Sequence, residues 1–440
     1  MTRDLMAMAD AVLNRLPGSA GAEVSVHEDS LALTRFALNA IHQNVAETSL
    51  RMRLRLVSDG RVGVAELRSD AQDGAARLVD AAERARRLSP AGDVSPLPTP
   101  TCPGGEAQAA FSATTAAASP DLRAEGVGVI AAAAVGSGLE AFGAFSTACN
   151  RTVIVNTAGV RRHAQSTAAD LVAVVRGADG AGYADRHSFD VAAIDCGGLA
   201  REVIDTCSRN QAAVTIEPGD YEVVLSPYAV ADLVEHLSWV GFSALAHQEG
   251  RSFMRPGERL MSESITIDED PSDPRREPFP FDSEGVCTRP VSLIDRGVCR
   301  NFVHDTATAL REGGESTGHA LPMPNTWGPV ARHLAIAAGD RTVEDLIRAT
   351  ERGLYVNRLW YVRSVHPLRT IITGMTREGT FRIDGGRLGP PVKDLRFTQS
   401  IVDALGDVRG IGGERSLHRA ETENTPLVPH LHLGSFSFTS

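Results

Sequence analysis

The stretch LVEHLSWVGFSALAHQEGRSFM, residues 233–254, sets Glu235 beside His236, with His247 eleven positions on and Glu249 two further. A zinc hydrolase needs about three protein ligands, an open coordination position and a carboxylate that takes a proton from the bound water. Helical zinc peptidases meet this with two histidines one turn apart and a glutamate between them. Here the glutamate precedes the histidine, and the positions four and five after His236 are Val240 and Gly241, neither of them a ligand. On an unbroken helix His247 would lie about 16 Å further along the axis. Only a sharp break, for which Gly241 is the place, could bring the two together. Leu233, His236, Leu237 and Val240 repeat at i, i+3, i+4 and i+7, so His236 reads as a histidine on an apolar face. His247, Glu249 and Arg251 fall in a polar turn around Gly250, where solvation competes with contact to a substrate.

Other segments offer weaker chemistry. LVPHLHL places His430 and His432 on one face of a C-terminal strand, a geometry that can bind metal and more often does not. GGESTGHALPMPN, residues 313–325, is a polar Gly/Pro-rich loop carrying Ser316, His319 and Asn325, and sites concentrate on such loops. His366 precedes a proline and reads as structural. No phosphate-binding loop is present, nor a dinucleotide fingerprint placed between strand and helix, and no Ser/His/Asp set can be argued from spacing.

The elements that must position these residues belong to a chain of 440 residues, too long for one core and expected to form two domains. With 42% hydrophobic and 22% charged residues the composition is that of a soluble globular protein. A net charge of −11 without a basic stripe disfavours nucleic acid and anionic membrane as ligands. The opening MTRDLMAMADAVLNRLPGS has Asp4 and Asp10 inside its apolar pattern, so it reads as a folded helix and not a secretory signal. No charge-free apolar run is long enough to span a bilayer, and a cytoplasmic location is expected. Six scattered cysteines without a CxxC read as reduced thiols, and a bond between Cys287 and Cys299 is disfavoured by hairpin register.

Period-two alternation marks strands in AEVSVHEDSLALTRFALN and TSLRMRLRLVSDGRVGVAELR, the second turning at Asp59-Gly60. A helix opening with a Ser69-Asp70 cap follows, then a Pro/Gly/Ser-rich loop over 89–105. Ala-rich helices alternate with strands to about residue 215. Beyond residue 280, short β-rich runs are separated by the glycine turns DRG, REG and DGG, with one helical insert, TVEDLIRATERGLYV, capped by Thr342. The expectation is an α+β chain: an N-terminal α/β domain over 1–215 and a C-terminal domain of strongly curved, barrel-like sheet over 216–440.

The C-terminal half resembles the TldD/PmbA family. The resemblance rests on EGRSFM after the helix, PFPFDSEGVCTRPVSLIDRGVCRNFVHDTATA, GGESTGHA, LIRATERGLYV, TGMTREGTFRIDGGRLGPPVKDLRFTQSI and the final SFSFTS. It implies a subunit of a two-chain zinc metallopeptidase, TldD with TldE, that encloses a chamber for extended peptide. In the catalytic TldD-type chain a HExxxH helix lies where this sequence has VEHLSWVGFSALAHQEG, and a later glycine-rich segment gives a cysteine ligand. The counterpart here, GDVRGIGGERS (406–416), has no cysteine. The resemblance therefore implies the TldE/PmbA-type chain: no metal of its own, zinc in a TldD-type partner, and a role in completing the chamber. Substrate contacts are expected from His247, Glu249, Arg251, Ser316, His319 and Asn325, and β-augmentation at a strand edge could grip peptide backbone. Two other readings stand beside it. One is an independent peptidase or amidase with a divergent site drawn from His236, His247, Glu249, His430 and His432. The other is a peptide-binding homodimer without hydrolysis.

Overall fold

The computed structural model describes residues 3–16, 21–68, 73–92, 94–102, 105–106, 109–419 and 424–440. Seven strands form the first sheet: β1 (Gly21–Ala37), β2 (Ala40–Ser58), β3 (Arg61–Leu67), β4 (Gly105–Glu106), β5 (Glu140–Asn156), β6 (Arg161–Arg176) and β7 (Ala181–Ser188). Their order is β3-β2-β1-β5-β6, with β4 and β7 both paired to β6. Asp59 and Gly60 make the β2–β3 turn with φ of +56° and +65°, the backbone that a two-residue hairpin demands. Alternation in β1 and β2 turns Ala22, Val24, Val26, Leu54 and Leu56 inward. They meet Leu5, Ala9 and Val12 of α1 (Leu5–Leu13) and Leu78 and Ala82 of α2 (Gly74–Leu88). The expected Ser69-Asp70 cap lies outside the described residues. Residues 94–102 cross this half without regular structure, held where Arg55 donates to the Ser95 carbonyl and Asn156 to that of Pro98.

The other end of the sheet carries the single turn α3 (Ala113–Ala116), then α4 (Pro120–Gly136) and α5 (Cys196–Arg209). Helix α4 starts where Ser119 accepts from the Leu122 amide and Pro120 presets the first turn. Its Val127 and Ile130 pack with Phe36, Phe145, Leu171 and Val203.

The second sheet has eleven strands. They are β8 (Gly219–Leu225), β9 (Ile267–Glu269), β10 (Val291–Asp295), β11 (Val298–Cys299), β12 (Leu334–Ile336) and β13 (Arg352–His366). After these come β14 (Ile371–Asp384), β15 (Arg387–Val392), β16 (Arg396–Ser400), β17 (Val408–Leu417) and β18 (Leu427–Phe438). Strands β8, β13, β14, β16 and β18 pair in succession, and β18 closes back on β8, so the sheet curls into a ring. This is the α+β build with a barrel-like second sheet that the residue patterns imply. Its core takes Leu233, Val234 and Leu237 from α6 (Pro227–Leu237) against Leu354, Val356, Leu431, Leu433 and Phe436.

Three expectations are corrected. REG (377–379) is no turn: Glu378 and Gly379 have positive φ within β14, where the β13–β14 register slips, so the glycine serves a bulge. The helical insert stops at Arg348, and the residues from Arg352 onward are strand β13, because their apolar side chains fill the curled sheet. Not all six cysteines are thiols. Cys102 and Cys287, 185 residues apart, are disulfide-bonded with Cα atoms 6.3 Å apart, while Cys299 is free and faces Ile294, one residue off the expected Leu293.

Candidate functional site

The 233–254 stretch does break at Gly241. After α6 the chain makes a π turn over Ser238–Phe242 before α7 (Ala244–Gln248). Gly241 lies in that turn against the Phe253 ring, and a Cβ there would stand 2.0 Å from a ring carbon. The break does not gather ligands. His236 donates from Nδ1 to the Asp232 carbonyl oxygen, 2.8 Å away, within its own helix. His247 is exposed and its ring stacks on Phe302 at 4.4 Å. His432 Nε2 meets Glu222 Oε1 at 2.7 Å and Thr350 at 3.0 Å, while His430 lies beside Tyr355. Among the described residues no three His, Cys, Asp or Glu side chains are arranged to hold a metal ion. The donor set at the expected position does not fit zinc.

Two concavities flank the 313–325 loop. Gly314, Glu315 and Thr317 face a groove of about 630 Å³ that also contains His247 and Arg289. Gly318, His319, Ala320 and Pro322 face a cleft of about 450 Å³ between the two sheets. The loop is thus the wall between them. The cleft takes His27, Thr152 and Ser166 from the first sheet, and Phe279, Phe281, Arg332 and His333 from the second half. Burial, then the neighbouring Arg51, pull His27 down to about 4, so it is a neutral imidazole there.

One charged cluster supports the cleft from beneath. Glu269, fully buried at the end of β9, accepts at Oε1 from the His333 amide (2.9 Å) and from His333 Nδ1 (3.0 Å) and His319 Nε2 (3.3 Å). Burial alone would raise its pKa, but the two imidazoles hold it far below the usual carboxylate range. A second cluster spans the halves: His187 lies against Asp170 on one side and 2.6 Å from Glu277 Oε2 on the other. Desolvation opposes its charge, yet those two carboxylates raise it to about 10, so it is an imidazolium clamp. Both clusters are invisible in the sequence, where their members lie as much as 107 positions apart (Asp170 to Glu277).

The DSEGV phrase proves to be scaffold. Asp282 accepts from the amides of Glu284, Val286 and Ala320, and Glu284 accepts from Thr306. Burial pushes both carboxyls up, with repulsion from Glu284 adding to the shift of Asp282 and repulsion from Asp305 to that of Glu284. Gly285, at φ +74°, fits under Val160, where a Cβ would be 2.5 Å from a methyl carbon. The phrase therefore fixes the His319 loop to the first sheet.

The six expected substrate contacts are scattered. Only His319 lines the cleft, and it is buried. His247 belongs to the groove. Glu249 and Arg251 pair with each other at 2.7 Å on the surface, Ser316 donates to the His304 carbonyl oxygen, and Asn325 closes a local turn with Trp327 and Gly328.

Residues 218–440, just over half of the chain, match the model of the PmbA/TldA metallopeptidase C-terminal domain. The chain belongs to the TldD/PmbA family. A metalloprotease of Methanothermobacter thermautotrophicus is 25% identical over 254 residues, 54% of each chain. The metalloprotease PmbA of Escherichia coli O157:H7 is 24% identical over 180 residues, 40% of this chain and 37% of that one. The chain thus spans about half the length or less of these curated relatives. The fold agrees throughout with TldE from Thermococcus kodakarensis, at a TM-score of 0.87 and 20% identity over 99% of both chains. A Thermotoga maritima protein described as a modulator of a DNA gyrase gives a TM-score of 0.83 at 17% identity, covering 99% of this chain and 98% of that one. No helix among the described residues of this TldD/PmbA-family chain is long and apolar enough to cross a membrane.

Proposed function

We propose that this chain is the metal-free subunit of a TldD/TldE-type zinc metallopeptidase, contributing no catalytic residue to the zinc chemistry. The observation that carries the reading is the disarmed helix: His236 is spent on its own backbone, His247 packs on Phe302, and segment 406–416 offers no cysteine. Zinc would then reside in a TldD-type partner, and the two chains would together enclose unfolded or modified peptide. The cleft between the sheets, with His319 buried in its wall, supports that role because an extended peptide needs a long, partly polar trough more than deep pockets. His247, Glu249, Arg251, Ser316 and Asn325 would edge the neighbouring groove and loop. In this reading residues 1–215 and 216–440 are the two domains and the complex works in the cytoplasm, where the Cys102–Cys287 bond meets a reducing thiol pool.

The test is metal analysis and co-purification. Purified alone after chelation, the chain should retain less than about 0.1 zinc per molecule, and mixed with a TldD-type chain it should form a stable complex that cleaves unfolded peptide. Near one tightly held zinc per chain, or peptide cleavage without a partner, would overturn the proposal.

A further inference from the structure

Ser416, near the end of β17, directs Oγ to Nε2 of His418 at 2.7 Å. Nδ1 of the same ring lies 3.0 Å from Oδ1 of Asp185, 233 residues earlier on β7. The Asp185 carboxylate fixes the tautomer: Nδ1 carries the proton and donates to Oδ1, so Nε2 is free to accept from the Ser416 hydroxyl. The other oxygen, Oδ2, accepts from the Tyr183 hydroxyl at 2.9 Å, and the Arg358 guanidinium covers the Tyr183 ring at 3.7 Å. Tyr228 packs against the imidazole at 4.2 Å between centroids and is itself anchored by Glu202 at 2.6 Å. His418 and Asp185 are almost fully buried, so the ring has one orientation. A hydroxyl, an imidazole and a carboxylate in this order are the parts of a nucleophile activated by a base that a third group orients.

The relay opens on a cavity. Ser416 and His418 line a cleft of about 660 Å³ that holds the apolar Ile347, Tyr355, Phe381 and Leu388 beside the charged Arg186, Glu202, Asp205 and Arg209. His430 shares the cleft and burial holds it down at about 4, so it is neutral there. A small apolar acyl group fits against Ile347, Phe381 and Leu388.

We propose that Ser416, His418 and Asp185 form an acyl-accepting site for esters with a small apolar acyl group, independent of any metal. Ser416 Oγ bonds to the carbonyl carbon as its proton passes to His418 Nε2. The ester C–O bond breaks, and the leaving alkoxide takes that proton as an alcohol. Water, deprotonated by the same imidazole, then adds to the acyl carbon, the bond to Oγ breaks, and Ser416 recovers its hydrogen. Asp185 acts through His418 and is a positioning residue.

The experiment exposes the full chain, in chelator and without a partner, to an alkyl fluorophosphonate, whose phosphorus bonds Oγ as hydrogen fluoride leaves. Intact mass counts the adduct and peptide mass spectrometry locates it, so the unaltered chain already decides the question. One adduct on Ser416 is expected, forming at least about 100-fold more slowly in His418→Gln and Asp185→Asn chains of unchanged circular dichroism. No adduct, an adduct elsewhere, or equal rates in the folded variants would overturn the proposal. None of these outcomes depends on zinc or on a partner chain, so each is distinct from failure of the peptidase-subunit reading.

Discussion

The 233–254 stretch and the seam between the two sheets are opposites. In the first, His236 and His247 lie close in sequence and a helix break even offers to bring them together, yet His236 bonds within its own helix and His247 stacks on Phe302. At the seam, Asp170 and Glu277 meet on His187, Glu269 meets His319 and Asp185 meets His418, each pair from distant segments. The difference is where the polar groups find partners. A helix supplies its own carbonyls to its side chains, so the apolar stripe of α6 can bury without needing a metal. At a buried seam no such local partner exists, and charge is tolerated only where another segment completes it.

That contrast can be broken by experiment. Glu269→Ala would leave His319 and His333 facing an empty acceptor in the interior, and a loss of about 3–5 kcal/mol in denaturant unfolding is expected. A loss below about 1 kcal/mol would mean the seam is no more demanding than the helix. Gly241→Ala comes next: its methyl collides with Phe253, and overpacking of this kind costs about 1–3 kcal/mol, read as a lower Tm with zinc content unchanged.

The imidazolium clamp gives a pH signature. The folded pKa of His187, about 10, lies above its ordinary value of 6.5, so its stabilisation is complete below pH 6.5 and is lost as pH rises through about 10. The Tm gap between the parent and His187→Gln chains should therefore be widest at the acid end of that window and close at the alkaline end. A gap independent of pH would place the clamp's value in packing alone. The smallest effect is expected from His247→Ala, about 0.5–1 kcal/mol for the stack on an exposed ring, with no change in metal content.

Some of this was legible before any coordinate. Asp59-Gly60 marked the β2–β3 turn because type I′ geometry needs positive φ, and Thr342 marked the start of its helix because a capping box is a local contact. The missing ligands after His236 were equally plain. REG misled because a glycine at positive φ serves a bulge as well as a turn, and only the β13–β14 register tells them apart.

Strands, caps, turns and the absence of a HExxxH helix follow from residues within a few positions of one another, where backbone geometry and side-chain period set the outcome. Tertiary structure alone decided that His187 is charged, that Glu269 is ionised in the interior, that Cys102 meets Cys287, and that Ser416, His418 and Asp185 stand in line. Those properties depend on burial and on partners from remote segments, and neither is written in local spacing.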